Sequence, residues 1–193
     1  MKDLRSFIRA VLVENIKKRV VLNPPPSEKN RVRELDIISK QYKNRKNPEE
    51  LQRDLDANST GLFDDIITSS GSKSQKAYIK ELKNKILPSI MLHKMHFDAL
   101  RPAELAKLKG IPFKSDYLST ANSPSYPSGH TAQAFYIANV LSDMYPSLSD
   151  DFYRLAEMIA NSRIDRGVHF PSDNEAGKLL ADILYKRHKD EEK

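Results

Sequence analysis

The residues best suited to chemistry lie in one short stretch, Ser162-Arg163-Ile164-Asp165-Arg166-Gly167-Val168-His169-Phe170-Pro171-Ser172-Asp173. Arg163 offers a planar, permanently charged fork for an anion. His169 precedes Asp173 by four positions, so the carboxylate can orient the imidazole as a nucleophile or base must be oriented. The set reads as histidine chemistry on an anionic substrate. Histidines followed by aspartates also occur in ordinary loops, and partners elsewhere in the chain have to decide between the two.

Two other segments offer such partners. Lys94-Met95-His96-Phe97-Asp98-Ala99-Leu100-Arg101-Pro102 puts two cations about two helical turns apart at the end of a helix, where both can face one pocket. Pro127-Ser128-Gly129-His130 immediately precedes a long apolar run. Unpaired N–H groups at a helix start, with the helix dipole, favour an anion there. Gly129 lets the backbone approach an oxygen closely, Ser128 adds a hydroxyl donor, and His130 sits beside the anion. Either segment alone is equally a solvated face or an ordinary capped helix. A metal-binding use of His93, His96, His130 and His169 lacks most of the carboxylates that would accompany it, so neither metal nor cofactor is expected.

The elements that must position these groups read as helices. Thr131 to Tyr145 is apolar around most of its circumference, which predicts a central, buried helix. A helix from about Asp150 to Arg166 should stop at Gly167. The last helix should be capped by Ser172, with Glu175 as its capping-box partner and Ala176, Leu179, Leu180 and Ile183 as its apolar stripe. Upstream, helical spacing predicts helices over about Asn30 to Tyr42, from Asn47-Pro48-Glu49-Glu50 to near Asp56–Thr60, and from Lys73 to Leu87. A kink or fresh start is expected at Pro88. Leu4, Phe7, Ile8, Val11 and Leu12 form an amphipathic stripe suited to core packing or to a membrane surface. Gly110 to Pro127 reads as a long loop of the kind that carries function.

At 193 residues the chain is most simply one domain, residues 1–90 without a motif and 91–187 holding the three segments. Six glycines and many Leu, Ile, Lys and Glu residues at helical spacing favour an all-α fold. There is no cysteine, which excludes disulfide scaffolds and thiol chemistry. The net charge of +6 has no nucleic-acid motif or interleaved aromatic platform beside it, so no nucleic-acid partner is expected. No stretch is long and apolar enough to span a membrane. The charged opening residues lack the apolar block of a secretory signal, and a cytoplasmic location is the expectation.

Taken together, Lys94 with six residues before Arg101-Pro102, Pro127-Ser128-Gly129-His130, and Ser162-Arg163 with five residues before His169 and three more before Asp173 carry a resemblance. They are similar to the three-part signature of the type 2 phosphatidic acid phosphatase superfamily, which includes bacterial class A acid phosphatases and vanadium-dependent haloperoxidases. The resemblance spans about Lys94 to Leu184 and implies a helical bundle. It implies that His169 attacks phosphorus to form a phosphohistidine and that Asp173 fixes its tautomer. His130 would protonate the leaving oxygen, and Lys94, Arg101, Ser128, Gly129 and Arg163 would bind the phosphate oxygens without a metal. The implied partner is a phosphorylated small molecule or a lipid phosphate, with peripheral membrane contact and a homo-oligomer left open. A vanadate-dependent haloperoxidase and a non-catalytic binder of phosphate or anionic lipid are the alternatives.

Overall fold

The structure is a computed structural model that describes residues 21–45 and 49–191. Its helices are α1 (Glu28–Asn44), α2 (Glu49–Ala57), α3 (Ser59–Ser69), α4 (Lys76–Phe97), α5 (Pro102–Leu108), α6 (Gly129–Met144), α7 (Ser149–Asp165) and α8 (Pro171–Glu191). Single 3-10 turns lie at Ser119–Ala121 and Pro146–Leu148. No strand occurs among the described residues, so the fold is all-α as expected. The Leu4 to Leu12 stripe and the Asn47-Pro48 helix start lie outside the described residues.

Helix α6 is the centre. Ala132, Ala134, Phe135, Tyr136, Ile137, Ala138, Val140 and Leu141 are all buried, so every side of the helix meets protein. It packs chiefly on α8 and α7, then on α4. The crossing with α8 is close because position 177 has no side chain. A Cβ on Gly177 would lie 2.8 Å from the Ser128 carbonyl oxygen and 3.0 Å from the Thr131 Cβ. A backbone oxygen cannot yield as a flexible side chain can, so the glycine sets the distance between the two helices.

Pro88 does not interrupt its helix. α4 runs unbroken from Lys76 to Phe97, burying Ile79, Leu82 and Ile86 before the proline and Ile90 and His93 after it. A helix-interior proline costs about 3 kcal/mol. Each buried aliphatic side chain contributes roughly 1.5–3 kcal/mol, so packing on both sides outweighs the break.

A second, smaller apolar cluster joins Leu35 and Ile38 of α1, Leu105 and Ala106 of α5, Ile164 of α7 and Phe170. It lies under the turn that carries His169. The last helix begins at Pro171, so Ser172 is inside its first turn and is not its cap. The Ser172 hydroxyl donates instead to Glu34 Oε2 of α1 at 2.7 Å. Leu179, placed in the apolar stripe by its spacing, is 49 % exposed; the buried face is Ala176, Gly177, Leu180 and Ala181.

Candidate active site

The stretch from Ser162 to Asp173 is a tight connection between α7 and α8. Gly167 ends α7 with φ +72°, and a Cβ there would meet the Lys114 carbonyl oxygen at 2.9 Å. The chain then turns so that His169 is almost wholly enclosed, with Phe170 packed in the smaller cluster. His169 Nδ1 lies 3.0 Å from Asp173 Oδ2. Arg101 Nη1 donates to His169 Nε2 at 3.0 Å and to the Val168 carbonyl at 2.7 Å. Because a guanidinium can only donate, Nε2 carries the lone pair and Nδ1 the proton.

Asp173 is fully buried and well supplied with donors. Its Oδ2 accepts from His169 Nδ1, from the Phe170 amide at 3.0 Å and, in a short bond, from the Ser125 hydroxyl. Arg31 Nη2 approaches Oδ1 at 3.6 Å, while its guanidinium covers the Phe170 ring at 4.1 Å. Burial pushes the Asp173 pKa up, opposed by Arg31, Ser125, the Phe170 amide and Lys94. The Asp173 carbonyl also accepts from the Ser128 amide at 2.9 Å, which joins this turn to the start of α6.

Lys94 and Arg101 reach the site from α4 and from the start of α5. Lys94 is buried and donates through Nζ to the carbonyls of Pro124 at 2.5 Å and Ser125 at 3.3 Å. Asp98, at φ +43°, ends α4 by returning its amide to the Lys94 carbonyl. Pro102 then opens α5, a position where a missing N–H costs nothing. Glu104 Oε2 accepts from the Arg101 amide at 2.6 Å and Ser123 O from its Nε at 3.0 Å, which fixes the arginine.

At the start of α6, the fully buried Ser128 hydroxyl accepts from the Thr131 amide at 3.5 Å and lies 2.8 Å from Thr131 Oγ1. Thr131 Oγ1 donates to Asn174 Oδ1, so the Ser128 proton goes to Thr131 and this hydroxyl is committed to the helix start. Gly129 and His130 line a cavity of about 160 Å3 together with Lys94, Arg101, His169 and Thr120. Five of the eight expected site residues therefore face one small space. Arg163 and Asp173 lie behind it, and Ser128 braces it. A larger groove of about 560 Å3, between α2, α3 and α7, contains none of these residues.

Several polar partners escape sequence reasoning. Asp56, at the end of α2, forms a short ion pair with Arg163 Nη1. Its Oδ1 lies 3.3 Å from His130 Nε2 and its main-chain oxygen 3.2 Å from the same nitrogen. Thr120 Oγ1 donates to both Asp56 carboxylate oxygens, at 2.9 and 3.2 Å. No spacing pattern marks Asp56, Arg31 or Thr120. Ser125 and Thr120 at least fall in the long proline-punctuated loop singled out as functional. His93 is occupied structurally: Nε2 accepts from the Val21 amide at 3.1 Å and Nδ1 donates to the Ser89 carbonyl at 2.7 Å.

The charges crowd. Burial, then Arg101, pulls the Lys94 pKa down to about 7; burial, then Arg163, pulls Arg101 down to about 10. Burial and the neighbouring cations Arg101, Lys94 and Arg163 hold His169 well below the ordinary histidine value, so it is neutral. Burial and Arg163 bring His130 down to about 3 against the opposing Asp56. Arg163 is fully buried, and its Nε and Nη2 make no hydrogen bond.

A family model described as the PAP2 superfamily matches residues 82–184, more than half of the chain and every motif residue. The chain belongs to the PAP2 superfamily. A non-specific acid phosphatase of Salmonella typhimurium (strain LT2) is 36 % identical over 63 residues, 33 % of this chain and 25 % of that protein. A non-specific acid phosphatase of Providencia stuartii is 32 % identical over 92 residues, covering 43 % and 37 % respectively. An acid phosphatase of Zymomonas mobilis is 24 % identical over 138 residues, covering 67 % and 51 %. The chain thus spans between a quarter and about half of the length of these curated relatives. Among solved structures, a transmembrane PAP2 type phosphatidylglycerolphosphate phosphatase from Bacillus subtilis aligns at a TM-score of 0.42 and 19 % identity, covering 100 % of this chain and 89 % of that one. No helix among the described residues is long and apolar enough to cross a membrane.

Proposed function

We propose that this PAP2 protein hydrolyses phosphate esters through a phosphohistidine formed on His169. The observation that carries the reading is the convergence of Lys94, Arg101, His130 and His169 on one cavity, with Arg163 behind it carrying two unpaired donors. Phosphoryl transfer asks a protein chiefly for charge neutralisation and in-line positioning. In the first step the lone pair on His169 Nε2 attacks phosphorus; a P–N bond forms as the bond to the leaving oxygen breaks. His130, which takes up a second ring proton as the dianionic ester enters beside it, delivers a proton to that oxygen. Water then attacks phosphorus, the P–N bond breaks, and His130 takes back a proton. Asp173 accepts from Nδ1–H throughout and stabilises the charge that develops on the imidazole. Lys94, Arg101 and Arg163 supply the balancing charge, so the steps run without a metal.

The shape also bears on the substrate. A cavity of about 160 Å3 is well below the roughly 300 Å3 at which pockets begin to hold drug-sized ligands, so the rest of the ester lies at the rim. Leu87, Ile90 and Met91 form part of that lining. Leu87, Met91 and Met95 are exposed and follow at i, i+4 and i+8 on one face of α4. This favours an ester whose alcohol carries an apolar group, either a small aromatic or aliphatic alcohol or a lipid.

The test is a panel of p-nitrophenyl phosphate, sugar phosphates, nucleotides, prenyl diphosphates and phosphatidate, assayed with and without chelator. Wild-type turnover should survive chelation, and His169→Ala should have none. Full activity in His169→Ala would refute the mechanism; loss on chelation would refute metal independence.

A further inference from the structure

Asp56 is a carboxylate placed among donors suited to a phosphate. It is anchored on α2, far in sequence from every motif, and its side chain is only 11 % exposed. It pairs with Arg163 Nη1 and accepts from Thr120. Its Oδ1 and main-chain oxygen both face His130 Nε2, and since both are acceptors, Nε2 bears the ring proton. That proton is the one the proposed reaction would send to the leaving oxygen. Lys83, half-buried and also within electrostatic reach of Asp56, adds a further cation on this side. Burial alone would raise the Asp56 pKa, but Arg163, His130 and Thr120 outweigh it and hold the group ionised.

A carboxylate and a phosphate share the chemistry these donors recognise: planar or tetrahedral anionic oxygens accepting charge-assisted N–H bonds. Both cannot use Arg163 Nη1 and His130 Nε2–H together, because two anions would stand within hydrogen-bond distance of one another. We infer that Asp56 sets the phosphate affinity of this site: its carboxylate and the phosphate exchange places on the donors of Arg163 and His130. The inference rests on the phosphatase reading only in placing phosphate at those donors. The affinity observed is then the intrinsic affinity multiplied by the fraction of molecules in which Asp56 has moved off. Departure of the carboxylate also frees the His130 proton, so the general acid becomes available when phosphate is in place.

Isothermal titration of the full chain with inorganic phosphate tests this, with folding of each variant checked by helical circular dichroism. Asp56→Asn keeps the shape and removes the charge; it should bind phosphate about tenfold or more tightly than wild type. Asp56→Glu should stay near the wild-type value. Thr120→Val leaves every charge in place but removes the hydroxyl that anchors the carboxylate, and should tighten binding by a few-fold. Equal affinity in wild type and Asp56→Asn overturns the inference, as does tightening in Asp56→Asn with none in Thr120→Val, which would mean repulsion at a distance without exchange. Turnover by wild type over the full panel of phosphate esters and diphosphates, read in parallel, separates the two readings. Tighter phosphate binding without any turnover upholds the exchange and refutes the phosphatase, whereas turnover with equal affinities does the reverse. No phosphate binding by any of the proteins overturns both.

Discussion

The two histidines of the cavity are held in opposite ways. His169 is 2 % exposed and fixed on both ring nitrogens, by Asp173 behind and Arg101 in front, with Ser125, the Phe170 amide and Arg31 steadying the aspartate in turn. The His130 side chain is 16 % exposed and, among the described residues, takes its hydrogen bond and ion pair from Asp56, which comes from outside the motif-bearing half. A group that must attack one atom along one line gains from a rigid mount. One that, under the proposed mechanism, first gives a proton to one oxygen and later takes one from another gains from a partner that can leave.

The largest effect should come from breaking the rigid mount. Asp173→Asn keeps the shape but offers an amide to His169 Nδ1, which favours the tautomer with its proton on the attacking nitrogen. A loss in kcat on the order of 10³- to 10⁴-fold is expected, as for other buried Asp–His pairs. Measured kcat within tenfold of wild type would mean that Asp173 does not set the tautomer. Removing the adaptable histidine should cost less and depend on the substrate. His130→Ala should lower kcat by about 10²- to 10⁴-fold for alkyl phosphates and much less for p-nitrophenyl phosphate, whose leaving oxygen needs no proton. Equal losses for both leaving groups would assign His130 some role other than general acid.

The last effect is on stability, not turnover, and treats the two histidines alike. His93, His130 and His169 all have pKa values lowered first by burial. Below an unfolded-state value of about 6.5 the unfolded chain binds protons that the folded one does not, so stability is full above that pH and falls with acidification. Each histidine that stays neutral removes about 1.4 kcal/mol per pH unit, and for His130 the loss continues to about pH 3. Urea midpoints taken from pH 7 to pH 5 should fall; a flat profile would show that these rings take up protons in the folded state.

The motif half was legible because its chemistry is written at short, fixed spacings. The helix starts and stops around His130 and His169 depend on neighbouring glycines and prolines, and the central burial of α6 on its own apolar content. Other features depend on contacts between distant segments. The Asp56–Arg163 pair spans 107 positions and the Ser172–Glu34 bond 138, so no local pattern announces either. The continuity of α4 through Pro88, where a fresh start is one of the two expectations, has the same origin: the cost of the proline is local, while the burial that offsets it comes from neighbouring helices. Arg31 reads as one more cation on an amphipathic helix until Phe170 and Asp173 are placed beside it.

The Ser128 amide donates to the Asp173 carbonyl, so the turn bearing His130 and the turn bearing His169 are tied main chain to main chain. Side-chain identity does not enter that link. The outer face of α4, with its exposed Leu87, Met91 and Met95, can therefore be altered to suit other apolar groups at the rim without disturbing the spacing between His130 and His169.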